Sequence, residues 1–169
     1  MPTTEKNARR YLGVAAQGRS LKVVLLRTYL ALLAAAQKLY GDAGGDAAAK
    51  NPLDPYMTLL GYFNSLRELG GSRRIVEDEV NARLGSYGKR LRVGETNGLF
   101  ADRKIDHLPR ELTSRVPTHE VAETKDRLKL RFSAKERVDV ALATNMISVG
   151  VDVKRLGLMV VAWTLNNLK

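Results

Sequence analysis

The chain has 169 residues, enough for one substantial domain or for one domain with a helical extension. Its 44% hydrophobic and 27% charged residues describe a folded globular protein, and its net charge of +10 favours an anionic partner, most commonly nucleic acid. Cysteine is absent, which rules out disulfides, thiolate nucleophiles and cysteine-held zinc or iron–sulfur centres. The two histidines, His107 and His119, lack an H-x-x-x-H spacing, so no metal site is expected.

The first ten residues, MPTTEKNARR, carry no apolar signal core. The most apolar run, Leu21 to Leu39, is interrupted by Lys22, Arg27, Gln37 and Lys38. It reads as a soluble helix, so a cytoplasmic protein without a membrane partner is expected. The stretch GVAAQGRS, Gly13 to Ser20, differs from a phosphate-binding loop at Arg19, where G-x-x-x-x-G-K-[ST] requires lysine. A planar guanidinium does not replace a compact ammonium in a tight loop, and the charged KNARRYL before it is no buried strand. We read it as the turn into a helix over residues 20–40, with Ser20 as N-cap and Gly41 after the last turn. Apolar residues cover most faces of this helix. Residues 41–52 are small and polar, a linker that divides an N-terminal extension, 1–50, from a second unit, 51–169.

YMTLLGYF at 56–63 predicts a buried strand. Beyond it, Gly70 and Gly71 predict a short helical turn followed by a longer helix near 72–84. Residues 85–109 read as a loop-rich insertion and RELTSRV, 110–116, as a strand. A helix starting at Thr118 and running to Phe132 would place Val121, Thr124, Leu128 and Phe132 near one face. RVDVALAT (137–144) and LGLMVVA (156–162) predict two more buried strands, joined through NMISVG. Apolar strands alternating with helices predict an α/β fold, a parallel sheet covered on both faces.

The segment ALATNMISVGVDVKRLGLMVV, residues 141–161, carries the most chemistry. Groups just beyond the carboxyl ends of parallel strands line the ligand crevice of such sheets. Thr144 is placed there to offer a hydroxyl to a phosphate, Gly150 allows close backbone approach, and Asp152 offers an acceptor for ribose hydroxyls. The order strand–Thr–short helix–Gly-x-Asp–strand resembles motif V in the second RecA-like domain of superfamily 2 helicases, and LLGYFNSLRELGG resembles motif IV. Together, GYFNSLRELGGSRR and ATNMISVGVDVKRLGLMVV are similar to the DrmA family, the helicases of DISARM antiphage systems. The similarity covers residues 53–162.

The resemblance implies an ATP-dependent DNA helicase or translocase, with RNA left open as a partner. It implies nucleic-acid contacts from Asn64, Ser65 and Arg67 after motif IV, from Ser114 and Arg115, and from Thr144 and Asn145. Gly150 and Asp152 would meet ATP, bound with Mg2+ in the intact enzyme. The partners implied are the N-terminal RecA-like half and other subunits of the defence system. Val149 departs from relatives that carry arginine before the motif V glycine. No D-E-x-H or D-E-A-D box occurs, and the final AWTLNNLK has no Q-x-x-G-R-x-x-R motif VI. The chain is therefore expected to be an incomplete second RecA-like domain that holds no nucleotide tightly and is inactive alone, with residues 163–169 unexplained. The rival expectation is a non-catalytic nucleic-acid-binding or interaction module of the same fold. Arg73, Arg74, Arg90 and Arg92 read in part as solvated surface beside Glu77, Asp78 and Glu79, and Tyr62 and Trp163 as packed aromatics.

Overall fold

A computed structural model of the chain describes residues 10–15, 18–91, 93–105, 108–144, 153 and 155–162. Helix α1, Leu21–Asp42, starts where Ser20, in extended backbone, accepts a hydrogen bond from the Val23 amide at 3.4 Å, the cap expected from the sequence. Its residues Leu25, Leu26, Tyr29, Leu30 and Leu33 are buried at helical spacing. The helix runs through Gly41, and the left-handed backbone that ends it comes later, at Gly44 (φ 95°).

Four strands follow: β1 (Leu59–Phe63), β2 (Arg110–Leu112), β3 (Val140–Thr144) and β4 (Leu158–Ala162). They form one parallel sheet in the order β2-β3-β1-β4. Leu59 lies opposite Val140 and Leu158, Phe63 opposite Thr144 and Ala162, and Leu112 opposite Ala143. The predicted α/β fold is therefore present: a parallel sheet flanked by helices, with an N-terminal helix, consistent with a RecA-like domain.

The helix after β1 is continuous where the sequence predicted a break at the glycine pair. Helix α2, Leu66–Arg74, passes into a π-helical turn, Ile75–Val80, and then into α3, Asn81–Leu84. Two glycines cost a helix roughly 1 kcal/mol each. Burial of Leu69, Ile75, Val76, Val80 and Leu84 outweighs that cost. The predicted strand 110–116 is shortened to three residues, because Val116 donates back to the Thr113 carbonyl at 3.2 Å and turns the chain. Helix α4, Thr118–Leu128, stops before Phe132. Phe132 instead lies edge-on to Tyr40 with centroids 5.2 Å apart, flanked by the guanidinium groups of Arg103 and Arg137.

Each face of the sheet has its own core. On one, α1, α2 and α3 pack on Leu59, Phe63, Val140, Leu142 and Ala162. On the other, Leu128 of α4 packs with Leu60, Leu112, Ala141 and Ala143, joined by Tyr62, Val153 and Leu156. The β1-to-β2 crossover thus uses the first face and the β2-to-β3 crossover the second, where Val153 and Leu156 also pack ahead of β4. Opposite directions on opposite faces give these two crossovers one hand, as parallel crossovers require.

The amino edge of the sheet is tied by buried ions. Arg103 and Asp139, whose side chains are 1% and 0% exposed, meet at 2.9 Å, and Arg103 also donates to the Met57 carbonyl at 2.6 Å. Arg155 donates to the Asp54 carboxylate at 2.6 Å and to the Thr58 hydroxyl at 2.9 Å. Thr58 in turn donates to the Val138 carbonyl at 2.8 Å. These bonds join the entries to β1, β3 and β4 and satisfy charges that would otherwise be costly to bury.

Candidate nucleic-acid interface

At the carboxyl edge, among the described residues, short turns follow β1 and β2. Because all four strands run parallel, the ends of β1, β2 and β3 open onto this single edge. After β1 the chain turns toward the first face, and Val153 and Leu156, between β3 and β4, pack on the second. Adjacent strands whose connections diverge in this way form the switch-point crevice where α/β sheets bind ligands. Here it lies between Phe63 and Thr144, which are register partners.

The residues expected to meet nucleic acid collect around that crevice. Asn64 and Ser65 follow β1, both exposed. Ser65 caps α2 by accepting a hydrogen bond from the Glu68 amide at 3.2 Å, so the first turn of α2 is anchored at the edge. Arg67, in that first turn, is exposed and makes no ion pair among the described residues. Thr144 ends β3 and is only 5% exposed, on the same side of the sheet as Phe63 and α2. Asn145, Gly150 and Asp152 lie outside the described residues, as do Arg92, His107 and Trp163.

Ser114 and Arg115 lie in the turn after β2, both exposed. Arg115 is not a loose surface cation. Its Nε and Nη2 both bond the Glu111 carboxylate, the second at 2.7 Å, while the Thr113 hydroxyl donates to Glu111 at 2.6 Å and Arg73 approaches it at 3.6 Å. The Arg115 bond, then Thr113 and the nearby positive charges, hold the Glu111 carboxyl below its ordinary value, against the opposing effect of burial. Neither Glu111 nor the second role of Arg73 stands out in the sequence, where Glu111 lies between Arg110 and Leu112 as one charge beside another. Arg73 also pairs with Glu77 at 2.8 Å, which agrees with its reading as paired surface.

A cavity of about 490 Å³ lies at the opposite, amino edge, lined by residues including Tyr40, Asp46, Asn51, Asp54 and Arg131. Its polar groups largely bond each other: Tyr40 donates to Asp46 at 2.8 Å, and Asn51 donates to the Tyr40 and Gly45 carbonyls. Among the described residues, no group of three or more His, Cys, Asp or Glu side chains is placed to hold a metal ion. One helix, Leu21–Asp42, is long and apolar enough to cross a membrane by length and composition, and its buried positions pack on the sheet.

No family model matches the chain. Over 153 residues, 90% of its length, it is 44% identical to the DISARM protein DrmA of Bacillus paralicheniformis. The chain spans 13% of the length of that curated relative. Identity at this level over nearly the whole chain makes the two stretches homologous, and it relates this protein to the DISARM proteins.

Proposed function

We propose that the chain forms most of the second RecA-like domain of an ATP-dependent DNA helicase or translocase that serves antiphage defence. Residues 51–169 make up that domain, and residues 1–50 are an N-terminal helical extension whose helix α1 packs on its sheet. The observation that carries the nucleic-acid reading is the meeting of Asn64, Ser65, Arg67, Ser114, Arg115 and Thr144 on one edge of a parallel sheet, around its switch point. Homology to a DISARM protein supports the defence role.

In this reading the edge grips the sugar–phosphate backbone. Arg67 supplies an exposed guanidinium, unpaired among the described residues, beside a helix N-terminus, Ser114 a hydroxyl, and Arg115 a positioned fork. Such contacts are strongly salt-dependent and nearly blind to base sequence. ATP, bound with Mg2+ between this domain and an N-terminal RecA-like half, supplies the energy that closes and reopens the pair. Gly150 would let the backbone approach the phosphates and Asp152 would accept from the ribose hydroxyls. Magnesium would be carried by the nucleotide and by ligands outside the described residues. The work is cytoplasmic, and other defence subunits are the expected partners.

Two measurements test this. The chain should bind fluorescein-labelled DNA at low salt, with affinity falling steeply as salt rises. No binding at low salt would remove the nucleic-acid assignment, and preference for RNA would change the substrate. In the intact enzyme, Thr144→Ala and Asp152→Ala should each lower DNA-stimulated ATP hydrolysis. Unchanged hydrolysis would remove those site assignments and favour a non-catalytic binding module.

A further inference from the structure

Besides the Arg103–Asp139 pair, an arginine meets a largely buried carboxylate at each edge of the sheet, and these two pairs are finished differently. At the amino edge, Arg155 gives Nε to Asp54, Nη2 to the Asp54 carbonyl, and Nη1 to Thr58 and to the Leu128 carbonyl at 3.5 Å. Every nitrogen is used, the side chain is 12% exposed, and the arrangement is structural. At the carboxyl edge, Arg115 gives Nε and Nη2 to Glu111, its Nη1 has no partner among the described residues, and its side chain is 49% exposed. A guanidinium carries five N–H groups. Side-on pairing through Nε and one Nη2 hydrogen leaves three of them, on Nη1 and the far side of Nη2, directed away from the carboxylate. Two of those three, one on each Nη, form the end-on fork that matches two oxygens of a phosphate.

Glu111 is itself rigid. Its side chain is 6% exposed, it sits in β2 opposite Leu142, and the buried Thr113 hydroxyl donates to it. Arg73, from α2, approaches it from the first face of the sheet. The turn closed by Val116 and Thr113 fixes the Arg115 backbone. Resting on the nucleic-acid reading above, we infer that Glu111 is a positioning residue: it clamps the inner edge of Arg115 so that the outer edge is presented, preformed, to a backbone phosphate. The clamp acts through pre-organisation, since it offsets the entropy of fixing a long side chain before the phosphate arrives.

This makes a prediction opposite in sign to simple electrostatics. Deleting a negative charge beside a phosphate site should strengthen binding, whereas releasing Arg115 should weaken it. The experiment is fluorescence anisotropy with labelled single-stranded DNA, comparing wild type, Glu111→Gln, Arg115→Ala and the double variant, with thermal melts showing that each is folded. Arg115→Ala is expected to weaken binding several-fold, Glu111→Gln about 3–10-fold, and the double variant no more than Arg115→Ala alone. Glu111→Asp, which keeps the charge on a shorter stem, guards against misfolding of the glutamine variant and should also weaken binding. An independent readout is the Arg115 Nε–Hε NMR signal, protected from exchange in wild type and lost in Glu111→Gln. Tighter or unchanged binding by Glu111→Gln, with Arg115→Ala still impaired, overturns the clamp alone. Unchanged binding by Arg115→Ala, or no binding by wild type, overturns the contact itself and with it the clamp.

Discussion

Gly61 of β1 lies against Tyr29 of α1, and Gly61→Ala tests that packing. A methyl carbon there would lie 2.8 Å from Leu142 Cδ2, 3.0 Å from the Tyr29 hydroxyl oxygen and 3.1 Å from Phe63 Cε2. Carbon pairs are comfortable at roughly 3.5–4.0 Å. All three neighbours are fully or almost fully buried, so none can swing into solvent. Overpacking of this kind costs about 1–3 kcal/mol, and three simultaneous contacts put it near the upper end. Alanine returns up to about 1 kcal/mol by stiffening the unfolded chain, leaving about 2 kcal/mol net. At about 2–4 °C per kcal/mol for a chain of this size, Tm should fall by about 4–8 °C. Thermal and urea unfolding followed by circular dichroism measure both. Leu142→Val, which removes the closest carbon, should cost less in the Gly61→Ala background than alone, with a coupling of about 1 kcal/mol. A neutral Gly61→Ala would mean that Tyr29 and α1 do not lie against this strand, and the docking of the N-terminal helix would be wrong.

Arg103→Met leaves the Asp139 carboxylate in the core without its closest partner, and should cost about 3–5 kcal/mol in urea unfolding, with Asp139→Leu in the same chain recovering most of the loss. Glu111, held below its ordinary 4.5, contributes stability that is present above that value and lost as pH falls through the lower, folded one. Unfolding free energy should therefore decline on acidification below about pH 4.5, and Glu111→Gln should decline less steeply over that window. Arg67→Ala should leave Tm unchanged, because the side chain is exposed and unpaired among the described residues. It should also lower the slope of log affinity against log salt for single-stranded DNA by about 0.7.

What was legible in the sequence was whatever depends on short spacing. Ser20 before an Ala- and Leu-rich run marked the start of α1, and unbroken apolar runs marked β1, β3 and β4 as strands of a parallel sheet; β1 and β3 are buried as expected, whereas β4 is an edge strand that leaves Met159 and Val161 56% and 55% exposed. Two errors came from weighing local punctuation above burial. Gly70 and Gly71 did not end the helix, since a Cβ at either would meet nothing and the flanking apolar residues are held by the core. The alternation in RELTSRV did not extend the strand, because the chain turns between Thr113 and Val116. The ionic ties were beyond sequence reading for a physical reason: Arg103 and Asp139 are 36 residues apart, and Arg155 and Asp54 are 101 apart. Of the site, the strand ends could be placed from pattern alone. That Arg115 is bonded to Glu111 while Arg67 has no ion pair among the described residues could not, because both are simply charges after a strand.

The central claim is that nucleic acid lies along the carboxyl edge of the sheet. Photocrosslinking to 4-thiothymidine-substituted single-stranded DNA, with the modified peptides mapped by mass spectrometry, tests it directly. The account predicts crosslinks within residues 63–67 and 113–116 and at the end of β3, reduced by competing unlabelled DNA and by high salt. Crosslinks concentrated at the amino edge, around residues 46–55 and 131–133, would contradict it.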